Sequence, residues 1–293
     1  MSEQVWERLR AIGDTFNPAA IAATRELLAP LALRPQDVGA IVERDLAYGS
    51  DPRHRLDVFR PSGGSELHPV VVFVHGGGFA LGDKGDAGAA FYNNCGAWAV
   101  REGFVGVTMT YRHAPAHRWP AGAADVAAAV SWLHANIERM QGDQQRIVLV
   151  GQSAGGAHVA GCLARHGNAM GELPVAAAVF FSGIYEPDMF ERNPMHEIYF
   201  GADRSVYAQR STVLALAATQ TPCLFTISEF DPAQFQRQLA AVFTARTALS
   251  GRCPEVMYLS GHNHVSPAMH LGGQFDVVGD RLVDYVRRVT RRT

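Results

Sequence analysis

The hydrophobic pattern changes character three times along the chain. Over the first forty residues apolar positions recur at helical spacing, with Val5, Trp6, Leu9 and Ile12 on one face. Asn17-Pro18 then supplies a cap followed by proline at a first helical position, and Pro30 ends the second helix. From about Ile41 the spacing shortens. Val42–Tyr48 and Arg55–Arg60 read as short strands, the second placing Leu56 and Val58 among polar neighbours. The run from Pro69 to His75 is continuously apolar, as a strand buried on both faces of a parallel sheet must be.

Beyond it, predicted strands at Phe104–Tyr111, Arg146–Val150, Val175–Phe181, Pro222–Ile227 and Glu255–Leu259 alternate with predicted helices at Ala123–Ile137, Ala154–Arg165, Pro232–Leu249 and Gly273–Arg288. This alternation predicts an α/β protein: a mostly parallel sheet with helices on both faces. Gly183 to Thr212 breaks the rhythm, carrying Tyr185, Met189, Phe190, Met195, His196, Tyr199 and Phe200 with little periodicity. An insertion of that length reads as a lid rather than a connector. Residues 1–293 are expected to form a single domain, with 1–40 as a helical arm and 183–212 as the lid-like insertion.

Composition removes alternatives more than it adds them. A chain of 293 residues can bury a large core without staples. The net charge of −2 carries no basic excess for a nucleic-acid partner. The one basic cluster, Arg287, Arg288, Arg291 and Arg292, suits the negative end of the last helix. Cys95, Cys162, Cys223 and Cys253 are scattered, which argues against a disulfide framework or zinc ribbon. The charged N-terminal stretch lacks the apolar core of a signal peptide, and no apolar run spans a bilayer. A cytoplasmic protein with no membrane partner is the expectation.

Two motifs carry chemistry. Gly151-Gln152-Ser153-Ala154-Gly155, followed by Gly156, lies between a predicted buried strand and a predicted helix. A turn that tight needs small flanking residues, and it lifts the serine hydroxyl to a helix N-terminus where negative charge is favoured. The same residues would also suit a plain glycine-rich turn with a serine cap. His75-Gly76-Gly77-Gly78-Phe79 ends another buried strand. Three glycines there let the backbone turn several N–H groups into one concavity, the requirement for holding a tetrahedral oxyanion. Gly77 and Gly78 would supply two donors and Ala154 a third. The same glycines would also suit a flexible loop or a phosphate nest, but no Lys-Ser/Thr follows, so this is not a Walker loop.

Together these motifs resemble the hormone-sensitive-lipase-like branch of the α/β-hydrolases, close to the bacterial carboxylesterases that grade into arylformamidases. The resemblance runs from about Asp45 onward and includes Tyr111-Arg112-His113-Ala114-Pro115, Trp119-Pro120-Ala121 and Asp125, with His113 where the branch usually has leucine. It implies an α/β-hydrolase fold, with an eight-stranded, mostly parallel sheet and a small cap from the N-terminal helices and the insertion. It also implies a triad in the order serine, acid, histidine. Glu229 and Asp231 compete for the acid, and Asp231 before Pro232 also fits an N-cap. The resemblance favours Asp231. His262 and His264 follow the last strand; a metal reading of the pair lacks a second ligand cluster in sequence, and the branch's Gly-x-x-His pattern selects His264.

The expected chemistry is hydrolysis of a small to medium acyl or aryl ester through an acyl-enzyme on Ser153, without metal or organic cofactor. Phe79, Tyr185, His196 and Tyr199, with Met195 and Phe200, are expected to line an apolar cleft. An arylformamidase would use the same residues. A non-catalytic small-molecule receptor of this fold typically resembles the branch but lacks a triad member, whereas all three are present. A small-molecule ester is the expected partner, and pairing into a homodimer by an edge strand or the last helix stays open.

Overall fold

The computed structural model describes residues 3–166, 175–190, 193–274 and 276–291. Arg292 of the basic cluster, residues 191–192 of the insertion and residue 275 of the last predicted helix lie outside the described residues. Eight strands form one sheet: β1 (Ile41–Ala47), β2 (Arg55–Arg60), β3 (His68–Val74), β4 (Val105–Met109), β5 (Gly142–Gln152), β6 (Ala177–Phe181), β7 (Cys223–Phe230) and β8 (Glu255–Asn263). Their order is β1-β2-β4-β3-β5-β6-β7-β8. β2 pairs antiparallel with both β1 and β4, and every later pairing is parallel.

Ten helices accompany the sheet among the described residues: α1 (Glu3–Ile12), α2 (Pro18–Leu28), α3 (Asn93–Arg101), α4 (Ala121–Asn136), α5 (Ala154–Leu163), α6 (Pro194–Phe200), α7 (Val213–Ala218), α8 (Ala233–Ser250), α9 (Ser266–His270) and α10 (Val277–Val289). Alternate strand residues sort onto opposite faces. Val70, Val72, Val74, Leu149 and Phe180 meet Val126, Val130 and Leu133 of α4, Val159 of α5 and Val242 of α8. Val71, Phe73, Val148, Val150 and Val179 meet Trp98 of α3 and Leu282 and Val286 of α10. The sheet is thus covered on both sides, the reason its strands read as unbroken apolar runs.

The sequence pattern gave no sign of α3. Eight of its nine residues, Asn93 to Val100, are buried, and because the polar Asn93 and Asn94 are among them, side-chain polarity does not mark the side that faces inward. β5 and β8 are longer than expected because both continue into polar residues, β5 from Gly142 and β8 to Asn263.

The strand order fixes where the two motifs meet. After β3 the chain moves to β4 on one side and then returns to β5 on the other. This reversal opens a crevice at the carboxyl ends of β3 and β5, where open α/β sheets hold ligands. Val74 is paired with Gly151 across these strands, so His75–Phe79 and Gln152–Ser153 leave the sheet side by side. The crossing has no room for side chains at its glycines. A Cβ on Gly155 would sit 2.1 Å from the Val74 carbonyl oxygen, and one on Gly77 would sit 2.0 Å from that of Leu81. Gly155→Ala is therefore expected to destabilise the protein by about 3 kcal/mol, at the upper end for overpacking. Gly88→Ala, at an exposed turn where a Cβ meets nothing nearer than 3.5 Å, is expected to be close to neutral. Urea midpoints of the two variants check the contrast.

Candidate active site

Ser153 sits between β5 and α5 with φ 53° and ψ −118°. Positive φ in a residue with a Cβ costs of order 1–3 kcal/mol and persists only where the surroundings impose it. Here the Ser153 N–H donates to the Phe181 carbonyl at 2.9 Å. Gly151 and Gly156 also leave no space for a relaxed alternative: a Cβ on Gly151 would lie 2.6 Å from the Gly155 carbonyl oxygen, and one on Gly156 2.9 Å from Gly183 Cα. The strained turn presents Ser153 to a cavity of about 1120 Å³ that also exposes Gly76, Gly77, Gly78, Gln152 and His264.

His264 follows the end of β8. Its Nδ1 lies 2.6 Å from Asp231 Oδ1. Beside a carboxylate Nδ1 carries the proton, which leaves Nε2 as an acceptor. Nε2 is buried and has no hydrogen-bond partner among the described residues. The ring is held between Phe235, stacked at 3.9 Å, and Phe16, edge-on at 4.6 Å. Asp231 Oδ2 accepts from Ser182 Oγ and from the Ser228 N–H, each at 2.6 Å. Four lone-pair sites on a buried carboxylate thus receive three donors from three segments of chain, fixing its plane. Glu229, the competing acid, is exposed and accepts from the Gly261 N–H at 2.6 Å. It braces β8 and does not touch His264. His262 turns the other way, with Nδ1 2.9 Å from Ser266 Oγ and its ring against Trp6.

The glycine loop is set by His75. Its Nδ1 lies 2.6 Å from the Gly76 carbonyl oxygen, and its ring stacks 4.4 Å from Tyr111. The Tyr111 hydroxyl in turn donates to the His75 carbonyl at 2.9 Å. Burial holds the imidazole neutral, with its pKa lowered to about 4, so Nδ1 donates and the loop keeps one shape. Gly77 and Gly78 have φ of 134° and 58°, and none of the hydrogen bonds within the described residues uses their N–H groups. The Ala154 N–H opens α5, where no intrahelical partner exists. A Cβ on Gly76 would lie 3.3 Å from Ser153 Cβ, so the start of the glycine loop runs directly against the serine turn. On α4, Asp125 accepts from the Arg112 main chain and guanidinium and from His54 Nε2. That ion pair explains the spacing of the arginine and aspartate in their sequence block.

The remaining expected contacts divide. Phe79 and His196 line the cavity. His196 stacks on Phe190 at 5.2 Å, and burial lowers its pKa to about 4. Tyr199 and Tyr185 do not reach the cavity, and both corrections have a packing cause. Tyr199 lies flat behind Phe79 at 4.4 Å, with its hydroxyl on His158. Tyr185 packs edge-on against Phe180 and Phe225 in the core beneath the sheet. Of the six side chains expected to line the cleft, Phe79, Met195 and His196 face the cavity, and Phe200 sits under Phe79. Sequence reasoning missed Phe16, Asn17, Pro18, Ile21 and Arg25 of the arm, Phe91 and Tyr92, and Phe235 and Met269, all of which line it. Among the described residues no group of three or more His, Cys, Asp or Glu side chains is placed to hold a metal ion, and no helix is long and apolar enough to cross a membrane.

The fold is the α/β-hydrolase fold. Esterase B from Lactobacillus rhamnosis superposes with a TM-score of 0.75 at 17% identity, over 98% of this chain and 96% of that one. An esterase of the bacterial hormone-sensitive lipase family superposes with a TM-score of 0.71 at 20% identity, over 99% and 98% of the two chains. In sequence, the BD-FAE family matches residues 56–185. Esterase LipC of Mycobacterium tuberculosis is 37% identical over 134 residues, 45% of this chain and 32% of that protein. Carboxylesterase NlhH of the same species is 37% identical over 139 residues, 47% of this chain and 41% of its own length. The isoprenylcysteine alpha-carbonyl methylesterase ICME of Arabidopsis thaliana is 37% identical over 121 residues, 41% of this chain and 27% of that protein. The matches therefore span less than half the length of these curated relatives.

Buried histidines make the fold acid-sensitive. Burial lowers the pKa of His75 to about 4 and those of His158 and His262 to about 3, against 6.5 when unperturbed. The unfolded chain takes up these protons first as pH falls. Their contribution is complete above about 6.5 and is lost below it, each histidine costing about 1.4 kcal/mol per pH unit until its folded value is reached. Asp276, raised to about 6 by burial, acts in the opposite sense, but as one group against these three and the similarly lowered His113, His196 and His270. The urea midpoint is expected to fall steeply from pH about 6.5 to about 4.5; a flat profile would show that these rings are not held neutral.

Proposed function

We propose that this chain is a serine hydrolase that cleaves carboxylic esters through an acyl-enzyme. The observation that carries the reading is the meeting, in one cavity, of Ser153 on a strained turn, an unpartnered His264 Nε2 whose Nδ1 is held by buried Asp231, and the free N–H groups of the glycine loop. Ser153 attacks the ester carbonyl while His264 Nε2 takes its proton. The N–H groups of Gly77, Gly78 and Ala154 receive the charge that develops on the carbonyl oxygen. His264 then protonates the leaving alkoxide, and water repeats both steps on the acyl-enzyme. Asp231 keeps the proton on Nδ1 and stabilises the transient imidazolium. The esterase names of the relatives in sequence support the same chemistry.

The cavity walls are mainly apolar: Phe79, Ile184, Phe190, Met195, Phe235 and Met269. They suit a neutral acyl or aryl ester of small to medium size. Met195 bears directly on the glycine loop, since a Cβ on Gly78 would lie 3.3 Å from its Cε.

Turnover of p-nitrophenyl acetate, butyrate and octanoate beside N-formylkynurenine, with wild type and Ser153→Ala, tests the reading. Ser153→Ala is expected to lower ester kcat by about 10⁶-fold. Equal inertness of wild type and variant on all four substrates would overturn catalysis, and strong preference for the formamide would replace the esterase by a formamidase. Asp231→Asn is expected to lower kcat by about 10⁴-fold through the wrong tautomer of His264, and Glu229→Gln far less; the reverse ranking would displace Asp231. Met195→Ala is expected to raise the octanoate-to-acetate ratio of kcat/KM by about tenfold, the effect of a methylene or so of pocket. The rate of Ser153 labelling by a small organophosphate should stay unchanged.

A further inference from the structure

The N-terminal arm touches the His264 loop at successive residues. Trp6 fills the space beside Gly261, where a Cβ would meet its ring at 2.3 Å, and lies edge-on to His262. Phe16 lies edge-on to His264. Between them is one polar contact: Asn263 Nδ2 donates to Thr24 Oγ1 at 2.8 Å, 239 residues earlier in the chain.

That contact is fully directed. Asn263 Oδ1 accepts from the Val265 and Ser266 N–H groups at 3.2 and 3.1 Å, and the Asn263 N–H donates to Ser266 Oγ at 3.0 Å. The oxygen is committed to the loop, which assigns the amide nitrogen to the arm. Thr24 is completely buried in α2, and its hydroxyl proton goes to the Ala20 carbonyl at 2.9 Å. Its lone pair is therefore turned to Asn263. A buried amide bonded this way costs 1–3 kcal/mol, by rough measure, if its partner is removed, and here the residue that would shift to recover a partner immediately precedes His264.

We propose that Thr24 is a positioning residue: through Asn263 it fixes the loop that carries His264, so the arm aligns the proton transfer as well as walling the cavity. This rests on His264 being the general base. It differs from a substrate contact, because Thr24 does not face the cavity, and from general packing, because it depends on one hydroxyl.

The test compares Thr24→Val, which keeps the shape and removes the acceptor, with Thr24→Ser, which keeps the acceptor and removes a methyl. Both are assayed on p-nitrophenyl butyrate well below their melting temperatures. Thr24→Val is expected to lose about tenfold to a hundredfold in kcat, the scale of a slight misalignment of a reacting group, with KM unchanged. Thr24→Ser should remain near wild type. By proton NMR the low-field Nδ1–H resonance of His264 should persist in wild type and Thr24→Ser and shift or broaden in Thr24→Val. Wild-type kcat and an unmoved resonance in Thr24→Val would overturn the proposal. So would an equal loss in Thr24→Ser, or a loss confined to KM. If Thr24→Val does not fold, Thr24→Ala carries the same comparison. Wild type without Ser153-dependent turnover would sink the esterase reading, and the resonance would still decide whether Thr24 positions the ring.

Discussion

Two backbone segments must cross almost in contact above the sheet, and the site depends on that crossing. The β3–β5 register puts Val74 opposite Gly151, so the glycine loop and the serine turn start from adjacent positions. Whether they can then converge is decided by the absence of side chains at Gly76, Gly151, Gly155 and Gly156, where a Cβ would fall 2.1 to 3.3 Å from backbone or from Ser153. The strain in Ser153 follows from the same geometry, because a relaxed turn would carry its hydroxyl away from the donors. Strand pairing supplies the rigidity and the glycines supply the approach; neither suffices alone.

Burial then sorts the titratable groups. His75 and His158 are enclosed by aromatic rings and kept neutral, so they act as fixed donors and packing elements. His264 is just as buried but has a carboxylate on one nitrogen and nothing on the other. The difference lies in the partner, not in the exposure. Asp231 and Glu229, two residues apart at the end of β7, divide in the same way. One is enclosed and receives Ser182, Ser228 and His264, while the other stays at the surface and holds the backbone of Gly261.

The parts of this arrangement carried by local sequence were legible before any coordinates. Continuous apolar runs announced the inner strands, and the two glycine motifs announced the turns, because each needs particular residues at fixed spacing. Helix α3 was not legible, since it is short and two of its polar residues, Asn93 and Asn94, are buried, so polarity does not report which side faces inward. Nor was the split among the insertion's aromatics. Tyr185, Tyr199, Met195 and His196 look alike in sequence, and only the packing of Phe79 and Phe225 decides which are covered. Contacts between distant segments, such as Phe16 on His264 or Thr24 on Asn263, leave no trace in either local pattern.

The arm shows why such distant contacts matter. Helices of ten and eleven residues are marginal alone, so α1 and α2 owe their order to what they cover. Their own core is small, built on Leu9, Leu27, Leu28, Phe91 and Met269, whereas the sheet is packed on both faces. Breaking fewer buried contacts makes local opening easier there than at the sheet. If Thr24 aligns His264, opening the cavity by moving the arm also releases the histidine loop. The arm's cover over the cavity and its hold on the histidine loop are then one set of contacts, made by Trp6, Phe16 and Thr24.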